Sequence, residues 1–187
     1  DGKTIIGVKA EHPLIDIDKP WHLMEANEEV ILREVTGLKQ DNIHPTAKIH
    51  PSAIIEGKLV MGKNSCIGKN VIIKGNTIIG DNTIIDYGAI IEGNTVIGSN
   101  TSIKDCCKIL PFTAIGNKNR IGYNAEFQGI TFDGVSMTHG SEMYGIIGEC
   151  TDIAAGCTAG ILRFDDSLNS PKVMGKAELG SKYTNGI

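Results

Sequence analysis

The chain has 187 residues, enough for one domain with a buried core. Its formal net charge is −4 and its only arginines are Arg33, Arg120 and Arg163, which leaves no basic surface for nucleic acid or an anionic membrane. No apolar run approaches the ~20 residues a membrane span needs and no signal peptide is visible, while the five cysteines suit a reducing cytoplasm, where the protein is expected.

The chain opens at Asp1 rather than methionine, and the native amino terminus is expected to lie upstream. Thr4 to Val8 reads as a strand. Pro20, after Asp18-Lys19, is a helix-start signal, and Trp21 to Val35 reads as helix with Trp21, Met24, Ile31 and Val35 on one side. The expected role of this short N-terminal helix is to cap the open end of the repeat that follows. Residues 1–42 therefore form an N-terminal segment, and residues 43–187 the repeat domain.

From Ile43 the chain reads in sixes, giving fourteen uninterrupted hexads that end at Glu126. Thirteen of the first positions are isoleucine, from Ile43 to Ile121, and the other is Met61. Fifth positions are small or β-branched, as at Ala53, Val71, Thr83, Ala89, Thr101 and Cys107. Asparagine recurs at the fourth, as at Asn64, Asn70, Asn82 and Asn100. A branched aliphatic suits a pleated, buried ladder, and asparagine is the non-glycine residue that best tolerates positive φ, which a sharp corner needs. Period six matches neither 3.6 nor 3.5, which excludes an amphipathic helix. A strand and corner every six residues buries its apolar side only by stacking, so a parallel β-helix is expected.

After Glu126 the sixes break and resume at Ile147 and Ile153, so residues 127–146 read as an excursion carrying Phe127, Phe132, Met137, His139 and Tyr144. A second excursion is read at about 160–178, with Arg163, Asp165, Asp166 and Lys172, and Leu179 to Ile187 fit the repeat poorly. Loops leaving a solenoid are where function tends to sit. The five cysteines (Cys66, Cys106, Cys107, Cys150 and Cys157) form no C-x-x-C and read as buried thiols, and their spacing argues against zinc or redox chemistry. His44 and His50, one hexad apart, fall on different faces and are not expected to share a metal.

Two segments and the repeat carry a family resemblance. The hexads resemble those of the hexapeptide-repeat acyltransferases, whose fold is a left-handed parallel β-helix with three hexads per coil. Asp18-Lys19-Pro20-Trp21-His22-Leu23-Met24-Glu25-Ala26-Asn27 resembles the motif with which sugar-1-phosphate nucleotidylyltransferases pass from their catalytic domain to a β-helix. His139 through Asp166, with Tyr144, Ile147-Gly148 and Ala155-Gly156, looks like the acetyltransferase half of the bifunctional N-acetylglucosamine-1-phosphate uridylyltransferases. The resemblance begins at the very end of the nucleotidyltransferase domain, so it leaves the uridylyltransferase site outside this chain.

What the resemblance implies is an acetyl-CoA-dependent N-acetyltransferase of UDP-N-acetylglucosamine biosynthesis, acting as a homotrimer on an amino-sugar phosphate such as glucosamine 1-phosphate. His139 would be the general base, Tyr144 would hold the sugar phosphate, and Ala155 and Gly156 would receive acetyl-CoA. No metal is implied. The chain also departs from the family pattern: Leu110 and Gln128 stand where an arginine and a lysine are expected, and Asp152 and Ile161 where asparagines are. Arg163 and Lys172 are the candidates to replace the lost cations. Two other readings stay open, an acyltransferase with another acceptor and a non-catalytic trimerisation module of a nucleotidylyltransferase.

Overall fold

The computed structural model describes residues 4–160, 163–165, 167–178 and 180. Residues 42–159 wind into a left-handed β-helix of about seven turns, every strand parallel to its neighbour one turn along. Each turn is a coil of three short strands and three corners. Coil 1 comprises Asn42–Ile43, Lys48–Ile49 and Ile54–Ile55, one strand on each of three faces. In coils 1 to 4 residues pair with the residue eighteen further on, as in Ile49↔Ile67 and Ile67↔Ile85.

The first hexad position points inward and forms the core. Ile67, Ile73, Ile85, Ile91, Ile103 and Ile109 are all fully buried. Each such side chain contributes about 1.5–3 kcal/mol. The corners confirm the reading of asparagine: Asn64, Asn82 and Asn100 have φ of 56, 53 and 56° and stack along the edge between the first and second faces. Their amides join in a ladder, Asn64 Nδ2 donating to Asn82 Oδ1 at 3.2 Å and Asn82 Nδ2 to Asn100 Oδ1 at 3.3 Å.

The first expected excursion is not one. Residues 127–146 stay in the coil, and the repeat shortens from eighteen residues to sixteen, as in Ala114↔Ile130, Arg120↔Ser136 and Glu126↔Glu142. The corner between the third and first faces shrinks to Gln128-Gly129 in coil 5 and Tyr144-Gly145 in coil 6. Strands Glu126–Thr131 and Glu142–Ile147 therefore run across that edge and hydrogen-bond the two faces into one sheet, with the second face separate. Phe127, Thr131, Met137 and Ile147 occupy the inward places that isoleucine fills elsewhere. Past Ala159 the ladder ends, and Lys172–Val173 pairs with Lys176–Ala177 as an antiparallel hairpin.

At the front, Ile5, Ile6 and Val8 are almost fully exposed and the expected strand at 4–8 is not formed, since no described residue pairs with it. The helix forms at Pro20–Glu34, with Pro20 in its first turn. It does not cap the first coil, where Ile43 and Ile49 remain exposed. It lies along the side of the solenoid, touching strands Glu126–Thr131 and Glu142–Ile147. Asn27 Nδ2 donates to the Phe112 carbonyl in coil 4 at 2.8 Å, and Asn76 Nδ2 of coil 2 donates to the Val35 carbonyl at 2.9 Å. A 15-residue helix is ~22 Å long, which matches four to five coils at ~4.8 Å each. Lying lengthwise buries Trp21, Met24, Ile31 and Val35, which an end-on cap one coil wide would leave largely uncovered.

Candidate functional site

The edge between the second and third faces carries one protruding residue per coil. In sequence these are Tyr87, Asp105, Tyr123, His139 and Ala155, from coil 3 to coil 7. His139 is exposed at this edge rather than on a loop. Its ring meets that of Tyr123 one coil below, with centroids 6.4 Å apart and planes tilted by 44°. One coil above, the Gly156 N–H donates to the His139 carbonyl at 3.4 Å and to the Gly140 carbonyl at 3.1 Å. Tyr123 sits at φ 54° and Gly140 at φ 52°, so both corners turn through the left-handed region.

The structure thus brings His139, Ala155 and Gly156 together, and adds Tyr123. Sequence reasoning missed Tyr123, although its place in the hexad Ile121–Glu126 is the same third place that His139 takes after Met137.

Tyr144 is elsewhere. It lies at the edge between the third and first faces, in register with Gln128. Four residues separate it from His139, and the strand that begins at Glu142 carries it along the third face away from that corner. Its hydroxyl donates to Glu126 Oε1 at 3.2 Å. Partial burial raises the Tyr144 hydroxyl's pKa, and the Glu126 carboxylate reinforces the shift. The same edge holds Leu110 and Gln128, whose amide donates to the Pro111 carbonyl at 3.1 Å. Glu126 also ends a charged row along the third face, in which Lys108 lies 3.4 Å from Glu126 and 4.0 Å from Glu92, with Lys74 3.2 Å from Glu92.

Arg163 and Lys172 lie beyond the last coil. The Arg163 guanidinium grips Asp165 with two hydrogen bonds of 2.9 and 3.0 Å, and Ser167 donates to the same carboxylate. Those bonds hold the Asp165 carboxyl far below the usual carboxylate range and raise Arg163. Lys172 is exposed on the hairpin. Asp152 faces outward at the second face, paired in register with Ser136. Asp166, Ile161, Leu179 and residues 181–187 lie outside the described residues.

The cysteines divide. Cys107 is buried, as expected, but Cys106 and Cys150 are exposed at corners. Among the described residues no three His, Cys, Asp or Glu side chains converge as metal ligands. His44 and His50 each turn Nδ1 toward their own corner, accepting the Thr46 and Ser52 backbone N–H groups at 3.2 and 3.1 Å. Among those residues, too, no helix is long and apolar enough to cross a membrane.

Residues 38–125, just under half of the chain, match a family model described as the GMPPB C-terminal domain. No curated protein matches. Among solved structures the chain is similar to a hexapeptide transferase family protein from Anaplasma phagocytophilum, at 22% identity over 60% of this chain and 72% of that one, with a TM-score of 0.56. A second similar structure is the acetyltransferase domain of PglB from Neisseria gonorrhoeae FA1090, at 21% identity and a TM-score of 0.47. There the match covers 68% of this chain and 59% of that domain. What the chain shares with the Anaplasma protein is the fold, a β-helix of hexapeptide repeats.

Proposed function

We propose that the chain is an acyltransferase that moves an acetyl group from acetyl-CoA to the amine of a sugar derivative, with an amino-sugar phosphate such as glucosamine 1-phosphate as acceptor. The observation that carries this reading is the stacking of the His139 corner beneath Ala155-Gly156. It leaves an exposed imidazole beside a small-residue corner where an acyl donor can approach. The amine nitrogen attacks the thioester carbonyl, the C–N bond forms and the C–S bond breaks, and CoA leaves as the thiol. The attacking amine must lose a proton, and His139 accepts it as the general base. Ala155 and Gly156 offer a side-chain-poor surface to the pantetheine arm.

Tyr144 acts as an acceptor-binding residue in this reading. A homotrimer supports its role, because a neighbouring chain can bring one edge of the solenoid against another. Outward isoleucines favour such assembly: Ile54 is 53% and Ile84 38% exposed in the single chain. Lys172, which has no ion-pair partner among the described residues, is the cation assigned to the acceptor's phosphate, whereas Arg163 is already engaged by Asp165. That engagement, with Leu110 and Gln128 in place of cations, favours one second reading, an acyltransferase whose acceptor carries no phosphate.

The test is to incubate purified protein with acetyl-CoA and a panel of amino sugars, with and without phosphate, and identify products by mass. An acetylated amino-sugar phosphate supports the reading. Acetylation of unphosphorylated acceptors alone supports the second, and no acetylated product from a folded trimer contradicts both.

A further inference from the structure

A groove of about 420 Å³ runs along the edge between the second and third faces, over coils 1 to 3. It lies about four coils, or ~19 Å, from His139 on the same side of the solenoid. Lys48, His50, Lys69 and Tyr87 stand around it. Gly68 lets the Asp86 side chain fold against the groove's backbone, in space that a Cβ there would occupy.

The polar groups have a shared sense. Among the described residues the amines of Lys48 and Lys69 have no hydrogen-bond or ion-pair partner. His50 accepts the Ser52 N–H at Nδ1, so its neutral ring carries the proton on Nε2 and presents a donor. Asp86 is the opposing charge, but its Oδ1 is taken by the Lys69 and Tyr87 backbone N–H groups at 2.7 and 2.8 Å. Tyr87, at φ 52° and 57% exposed, holds an aromatic face at the rim. Two unpaired ammonium groups and a neutral donor match the oxygens of a diphosphate. An exposed aromatic face matches a planar base. The volume falls within the range of small-molecule sites.

We infer that this groove binds a nucleoside diphosphate, with Lys48, Lys69 and His50 on the diphosphate and Tyr87 against the base. The site shares its edge with His139 but lies about four coils away, and it does not depend on acyl transfer.

The test is calorimetric titration of the full chain with pyrophosphate, uridine diphosphate and adenosine diphosphate. Both nucleotides bind saturably and more tightly than pyrophosphate. The double variant Lys48→Ala/Lys69→Ala weakens all three at least about tenfold, the size of one lost charge-assisted hydrogen bond. Tyr87→Asn, a residue that accepts the corner's positive φ, brings the nucleotides down to the level of pyrophosphate. His139→Ala leaves every affinity unchanged. No saturable binding, affinities indifferent to the lysine pair, or equal affinity for pyrophosphate and nucleotide would each overturn the inference.

Discussion

Gly129 and Gly145 lie directly above one another where the coil shortens. Their φ angles are 137 and 115°, and a Cβ on Gly129 would overlap the Gly145 carbonyl oxygen. Only a residue without a side chain allows two strands to cross this edge so closely. Gly129→Ala is therefore expected to lower stability by about 2–4 kcal/mol, through strain at positive φ and the clash together. Gly156→Ala is the control: its φ is 71° but nothing lies within 4 Å, so about 1 kcal/mol is expected. Urea unfolding midpoints measure both.

Asn119 holds the same transition from inside. It is fully buried, its Oδ1 accepts the Val135 N–H at 2.6 Å, and its Nδ2 donates to the Phe132 carbonyl at 3.1 Å. Asn119→Ala strands both backbone groups away from water, at a cost of about 1–3 kcal/mol for each one left unsatisfied. The same denaturant experiment checks this, and Asn119→Asp, which keeps the acceptor, should recover part of the loss.

Cys107 makes stability fall at alkaline pH. Burial pushes its thiol up to about 12. The unfolded thiol titrates near ~8.5, so between the two values the unfolded state has lost a proton the native state keeps. Stability contributed by this group is complete below about pH 8 and is lost as pH rises toward 12, by up to ~1.4 kcal/mol per pH unit. Comparing Cys107→Ala with the parent protein across pH 8–10 isolates the slope, which the variant lacks. In the native protein a thiol reagent should label the exposed Cys106 and Cys150 and spare Cys107.

Tyr144→Phe removes the hydroxyl that donates to Glu126 at 3.2 Å. The pair is half exposed, so the change in stability should stay within about 1 kcal/mol. If Tyr144 binds the acceptor, steady-state kinetics should give a KM several-fold higher with kcat nearly unchanged. A fall in kcat at constant KM would instead assign it to the chemical step.

Much of the fold was legible because one residue type repeated at one spacing. Isoleucine every six residues names the inward position without help from tertiary context, and asparagine marks the corners. Legibility failed where both signals changed at once. At Phe127 the inward residue is no longer isoleucine, and two residues drop out beside Gly129, so an in-register coil looked like a loop. The helix was legible from Pro20 and the Trp21, Met24 and Ile31 stripe, but not its berth along the side, because amphipathicity says that a face is buried and not against what. His139 was singled out through its neighbours in sequence, while its contact with Tyr123 depends on the sixteen-residue coil. The family resemblance groups Tyr144 with His139, and a strand crossing the third face takes it to another edge.

The most direct test of the account is thiol release from acetyl-CoA by the purified protein with glucosamine 1-phosphate, beside a His139→Ala variant of equal stability. The account predicts acceptor-dependent release in the parent protein and a loss of about 10²–10⁴-fold in the variant, the contribution of a positioned general base. Release that persists undiminished in the variant would contradict the role of His139, and no release in the parent would contradict acetyl transfer to this acceptor.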